Sequence, residues 1–310
     1  MSEFGKLPLE PVRIARATPE KALSMRPSEL SPLEFAVLST IAYRDQFAYP
    51  LTLEEIHRYL HWIACDMPDV ERAIDAGSLI TRYLVTDGTW YALSGRAALF
   101  SLRAQRTQLA VRLWQKARRL ASMLATLPQV RMVAVTGSLA AGNPADNADI
   151  DVMLVTETGA LWRTRAAAKL LQLIDRRLGG GLCVNHLVTE RALALPDQGL
   201  YVAQELAQMV PLYGEDVYQA LRAQNHWTFT YLPNASGPPP VETGPLNAVS
   251  KRLRPALRPL FRNPLASALE RWEGDRKLAR YNHSTFLPGR YSEFSRDSTG
   301  HRLHVKDAIE

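Results

Sequence analysis

Cysteine is scarce in this chain: Cys65 and Cys183 are the only two among 310 residues, and they stand far apart. So sparse a set excludes a disulfide scaffold and reads as two reduced core thiols. Long apolar runs are also missing. No stretch approaches the ~20 apolar residues that cross a bilayer, and the opening MSEFGKLPLEPVRIARATPEK lacks the apolar region of a secretion signal. The expectation is a cytoplasmic protein with no membrane partner. Aromatic residues make up 8 %, and in the basic segment from Lys251 onward they are not regularly interleaved with the charges as platforms for nucleic-acid bases would be. What is present, 46 % hydrophobic and 22 % charged residues, is the composition of a folded chain with a packed core. At this length two domains fit.

The net charge of +6 is concentrated at one end. From Lys251 to Glu310 there are 13 Lys and Arg against 7 Asp and Glu. Such an excess suits a nucleotide, a nucleic acid or an acidic partner, or equally a solvated basic face.

Residues 1–26 mix Pro, charge and small side chains without a period and read as a flexible arm. Ser31-Pro32 then starts an amphipathic helix, and Thr52 with Glu55 three residues on marks a second by its capping box. A third is expected from Pro68 to about Ala76. ITRYLVTDGTWYALS follows as two strands joined at Asp87-Gly88. Three helices and a hairpin, from Leu30 to Arg96, resemble a winged helix-turn-helix domain. Its segment in the recognition position carries Asp66, Asp69, Glu71 and Asp75 against Arg72 alone, and phosphates repel such a helix. Sequence-specific DNA binding is therefore not expected, and the module is expected to pack on its neighbour or to form a homodimer.

A long helix is expected from Leu102 to Leu127, stopped by Pro128. The β-branched run Val130–Thr136 is a strand that leads into Gly137-Ser138, and Asp149-Ile150-Asp151-Val152-Met153-Leu154-Val155 is a second strand. Side chains two apart on a strand share a face, so Asp149 and Asp151 point together. Two adjacent carboxylates on a rigid strand call for a neutralising cation, and hard oxygen donors suit Mg²⁺ or Mn²⁺ carrying a triphosphate. Gly137 allows close backbone approach to a phosphate, with donors from the turn and from the Ser138 hydroxyl.

Apolar strand, Gly-Ser, loop, then Asp-x-Asp in a second strand resembles the nucleotidyltransferases of the DNA polymerase beta type. The resemblance covers about Val130 to Pro211 and implies a small mixed sheet with helices on one side. It is also similar to an uncharacterised bacterial branch in which a winged-helix-like module comes first. It implies catalytic and metal-holding roles for Asp149 and Asp151, and nucleotide contacts at Gly137 and Ser138. The turn holds Ala141 where many members carry Arg, and the strand Leu182–Val188 offers Asn185 and His186 where many carry a third acid. Alternation puts these two on opposite faces, and Asn185 is the preferred catalytic partner of the aspartates. Glu205 is a substitute base to be considered. Arg163 and Arg165, on a helix expected from Gly159 to Leu178, are candidates for neutralising the triphosphate. Gly179-Gly180-Gly181 has no following Lys-Ser or Lys-Thr, so it reads as a helix exit and not a P-loop.

Two helices are expected to close over the sheet between Gln198 and Leu232, a Pro-rich linker over 233–249, and a helix from Leu265 to Tyr281 in the basic region 250–310. His301 and His304 lack further ligands for zinc. The expected class is mixed α+β, with a winged-helix-like domain over 27–101 and a nucleotidyltransferase domain over 102–232. The expected reaction moves a nucleoside monophosphate from an NTP, ATP foremost, to a hydroxyl of a small molecule, a protein or an RNA end. The alternative is a fold of this kind that binds nucleotide without turnover and regulates a partner.

Overall fold

Capping chemistry starts two helices of the first half of the computed structural model, which describes residues 18–24, 26–75, 79–241, 248–280 and 290–292. In chain order its elements begin with α1 (Pro19–Ser24), α2 (Pro32–Asp45), α3 (Leu53–Arg58), α4 (Met67–Asp75), α5 (Leu79–Arg82), β1 (Leu84–Thr86) and β2 (Tyr91–Leu93). Then come α6 (Leu99–Ala125), β3 (Val130–Val135), α7 (Gly137–Ala140), β4 (Ile150–Thr156), α8 (Leu161–Arg177) and β5 (Leu182–Thr189). The chain continues through α9 (Leu200–Gln208), β6 (Val210–Tyr213), α10 (Glu215–Gln224), α11 (Thr228–Tyr231), α12 (Ala248–Phe261), α13 (Pro264–Arg280) and β7 (Arg290–Ser292). The class is mixed α+β. Among the described residues no helix is long and apolar enough to cross a membrane.

The chain divides into two compact units with interleaved segments, not at the single boundary near 101 that the sequence suggests. One comprises 1–108, 196–207 and 226–238, the other 109–195, 208–225 and 239–310. In the first unit, Ser31 and Glu34 form a reciprocal capping box at α2, and Thr52 and Glu55 do the same at α3. Phe35 to Arg44 are all buried, so α2 is the central helix of this unit. Leu51, Ile56, Leu60, Val70, Ile74 and Leu79 are buried in the same cluster. The hairpin pairs Leu84 with Leu93 and Thr86 with Tyr91. The run from Ile80, expected as strand, is helical up to Arg82 because Leu79 and its turn pack into this helical core. Likewise α1 forms within the segment expected as an arm, with Leu23 against the core.

The second unit is built on a five-stranded sheet of order β6-β3-β4-β5-β7, in which β4 and β5 are parallel and the other pairs antiparallel. The crossover from β4 to β5 is α8. Val133, Val135, Val152, Leu154, Val184 and Leu187 face a core shared with α6 and α8, supplied by Ala117, Ala121, Leu124, Leu161 and Ala168. On the opposite side Met132, Ala134, Met153 and Val155 are buried too.

Where two helices were expected to close over the sheet, the first stops at Gln208 and Val210–Tyr213 pairs with β3 as a strand. Pro211 explains both facts, since it lacks the N–H that a helix needs and is tolerated where a strand needs no donor. Residues 200–207 of α9 belong to the first unit, where Leu200, Ala203 and Ala207 pack on Tyr43 and Tyr59. The second expected helix breaks at Asn225, whose amide donates to Leu193 O and Leu221 O, both at 2.8 Å, and accepts from Leu195 N. The linker expected over 233–249 gives way to α12 at Ala248. His301 and His304 lie outside the described residues.

Candidate functional site

The site begins where β3 ends. Thr136 N donates to Asp151 O at 2.9 Å, which keeps the two antiparallel strands in step up to the turn. Gly137 then takes φ of +65°, and the single turn α7 follows, closed by Ala141 N to Gly137 O (3.0 Å) and Asn143 N to Ser138 O (2.8 Å). Gly137 is required for space as well as conformation. A Cβ built there would overlap Asp151 Oδ2, so the turn is pressed directly against that carboxylate.

Asp149 and Asp151 flank Ile150, which is buried in the core and anchors the start of β4. Asp149 is exposed and Asp151 half-buried. Burial first, and then repulsion from Asp149, push the Asp151 carboxyl up to about 6, with a hydrogen bond from Cys183 pulling the other way. Asp149 thus stands close enough for its charge to act on the Asp151 carboxyl.

Asn185 joins this pair. Its Nδ2 donates to Asp151 Oδ1 at 3.1 Å, while the side chain is only 3 % exposed and its Oδ1 has no hydrogen-bond partner. The reason lies in the register of β5: Asp151 pairs with Cys183 and Val152 with Val184, but Met153 pairs with His186. Asn185 is the extra residue of a bulge. Simple alternation between Asn185 and His186, expected from sequence, therefore does not apply to these neighbours. His186 sits opposite Met153, and burial pushes its imidazole down to about 4.

Gly180 and Gly181, read from sequence as a helix exit, shape the site. A Cβ at Gly181 would stand 2.7 Å from Asp149 Oδ1 and 3.3 Å from its Cα, and one at Gly180 would overlap the Asp175 carboxylate. Gly181 O also accepts from Ile150 N at 2.6 Å. Asp175 in turn accepts from Leu182 N at 2.8 Å and lies 3.9 Å from Lys116 Nζ. Nothing in the triglycine itself discloses this role, because the side chains it accommodates come from elsewhere in the chain.

Arg163 and Arg165 are not brought to this end of the sheet. They occupy the first turns of α8, which follows the far end of β4, about 17 Å of strand away from Asp151. Arg165 is paired with Glu273 at 3.6 Å, both side chains being nearly buried, and the Arg163 backbone N–H donates to Glu270 at 2.8 Å. The expectation that they neutralise a triphosphate is corrected accordingly. Glu205 belongs to the first unit, on α9, whereas Asp149 and Asp151 belong to the second.

A divalent cation suits the donors at the start of β4. Two coupled carboxylates are hard oxygen ligands whose repulsion a cation relieves, and Asn185 Oδ1 is a buried acceptor without a partner. Among the described residues no three of His, Cys, Asp and Glu come together as a metal cluster. An ion here would fill its shell from water and ligand oxygens, as Mg²⁺ commonly does. The chain matches no protein-family model, no curated protein and no solved structure.

Proposed function

We propose that this protein is a Mg²⁺-dependent nucleotidyltransferase that moves a nucleoside monophosphate from an NTP, ATP foremost, to an acceptor hydroxyl. The observation that carries the proposal is the contact of the Gly137 turn with Asp151, beside Asp149 and Asn185. A glycine turn against coupled carboxylates is what a metal-bound polyphosphate needs: anionic ligands for the cation on one side, and backbone within reach of phosphate oxygens on the other.

Asp149 and Asp151 would hold the cation, which when bound offsets triphosphate charge and favours departure of pyrophosphate. Gly137 and Ser138 orient the phosphates through backbone and hydroxyl donors. Asn185 holds Asp151 Oδ1, so that the other oxygen, Oδ2, stays turned toward Gly137. The rate advantage would come from positioning and charge stabilisation. The helices and hairpin of the first unit are read as a winged-helix-like module, and the acceptor as a small molecule, a protein or an RNA end.

A second reading, nucleotide binding without turnover, has support in the two-carboxylate donor set and in Ala141, where many similar enzymes carry Arg. Pyrophosphate release and transfer of α-labelled phosphate, measured with each NTP and Mg²⁺ over an acceptor panel, separate the two. Turnover lost in Asp149→Ala and Asp151→Ala supports the enzyme. Tight nucleotide binding without product in the native protein supports the second reading.

A further inference from the structure

The helix α13 is docked the wrong way round for an amphipathic helix, with carboxylates inward and leucines outward. Its inner edge is polar: Glu270 accepts from the backbone N–H groups of Trp162 (3.1 Å) and Arg163 (2.8 Å) at the start of α8, and Glu273 pairs with Arg165. A carboxylate at a helix start satisfies donors that the helix itself leaves open. This docking fixes which face of α13 stays exposed. Leu265, Ala268, Leu269 and Trp272 recur at i, i+3, i+4 and i+7, and Leu265, Leu269 and Trp272 are 79 %, 41 % and 59 % exposed.

The preceding helix extends the pattern. Arg254 of α12 donates to the carbonyls of Ala125, Pro128 and Val130 (2.8–3.2 Å), and Phe261 packs against the sheet core. With that side anchored, Leu253 and Leu260, seven residues apart, are exposed, and so are Arg258 and Arg271. Arg262, between the two helices, is exposed as well but reaches Glu157 at 3.0 Å. From Lys251 to Arg280 the sequence has nine Lys and Arg against three Asp and Glu; Glu270 and Glu273 are spent in the docking on α8, as Arg254 and Arg262 are on the carbonyls and on Glu157, so the excess of cations is unchanged by these contacts. Exposed Leu and Trp amid such an excess of cations are chemically complementary to one kind of surface, an apolar layer under a negative one.

We infer that the outer face of α12 and α13, centred on Leu265, Leu269 and Trp272 and flanked by Arg258 and Arg271, docks on an anionic lipid bilayer. The side chains enter the headgroup boundary without spanning it, the arginines meet lipid phosphates, and the two helices stay fixed to the sheet by Arg254, Glu270 and Glu273. Self-association through the same face would set arginines against arginines, which disfavours a second copy as its occupant.

The test is co-sedimentation of the full-length protein with vesicles of phosphatidylcholine, with and without phosphatidylglycerol. The expected result is binding to the anionic vesicles, weakened on the order of tenfold between about 0.1 and 1 M salt, where screening contracts sharply. Leu265→Ser/Leu269→Ser/Trp272→Ser should lose binding by at least about tenfold with unchanged circular dichroism, since these side chains are exposed. Brominated lipid should quench tryptophan fluorescence in the native protein and less so in Trp272→Phe, which still binds. The inference is overturned if the native protein ignores anionic vesicles, or if the triple variant binds as well. It is overturned too if sedimentation velocity finds a dimer that the triple variant abolishes, which would assign the face to a second copy.

Discussion

Replacing Asp151 by Asn should stabilise the ligand-free protein while abolishing its response to Mg²⁺. In the fold the Asp151 carboxyl is pushed from 3.8 up to about 6 by burial and by Asp149. A displacement of one pH unit is worth about 1.4 kcal/mol, so above pH 6 the ionised carboxylate costs up to about 3 kcal/mol. The sign follows from linkage. The folded state binds this proton more tightly than the unfolded one, so its contribution to stability is intact below about pH 4 and is lost as pH rises through about 6. The amide of the variant can still accept from Asn185 and never ionises. The melting temperature of Asp151→Asn should therefore exceed that of the native protein by several degrees at pH 7 to 8, a gap that narrows toward pH 4. Mg²⁺ should raise the melting temperature of the native protein at pH 7, progressively less below pH 6 as protons compete, and should leave the variant unmoved. Scanning calorimetry from pH 4 to 8 with and without Mg²⁺ measures all of this. A variant that melts lower at pH 7, or gains as much from Mg²⁺, would refute the reasoning.

Other consequences are equally direct. Gly181→Ala places a methyl 2.7 Å from Asp149 Oδ1 and should cut NTP turnover by on the order of a hundredfold while costing only about 1–2 kcal/mol in urea unfolding. Unchanged turnover would remove Asp149 from the site. Glu273→Gln removes the nearly buried carboxylate that pairs with Arg165 and should cost about 1–3 kcal/mol of stability, with KM for NTP unmoved; a tenfold rise in KM would return Arg165 to the phosphates. His61 is fully buried against Ser39 and pushed down to about 3 by burial and by Arg44. Its folded pKa lies below the unfolded value, so stability should fall by about 1.4 kcal/mol per pH unit as pH drops below about 6.5. His61→Gln should flatten that slope in acid unfolding curves.

Much of this molecule is legible in local sequence, because local chemistry decides it. Ser31 with Glu34 and Thr52 with Glu55 are reciprocal caps within four residues, and both begin helices as read. The two strands on either side of Gly137-Ser138 are β-branched runs whose burial needs no distant partner to be recognised. What sequence hid depends on partners far along the chain. Val210–Tyr213 is a strand because β3 has a free edge for it. Gly180 and Gly181 matter because Asp175 and Asp149 arrive beside them, and Arg165 is occupied by Glu273, a carboxylate from a helix much later in the chain. The bulge at Asn185 defeated a rule that is otherwise sound, since alternation assumes an unbroken ladder.

The most direct test of the central claim is a crystal structure with Mn²⁺ and a non-hydrolysable ATP analogue, with the metal located by its anomalous signal. Metal density is expected about 2.2 Å from oxygens of both Asp149 and Asp151, with the triphosphate lying along Gly137 and Ser138. Metal and nucleotide bound elsewhere, with Asp149 and Asp151 turned away from both, would contradict the claim.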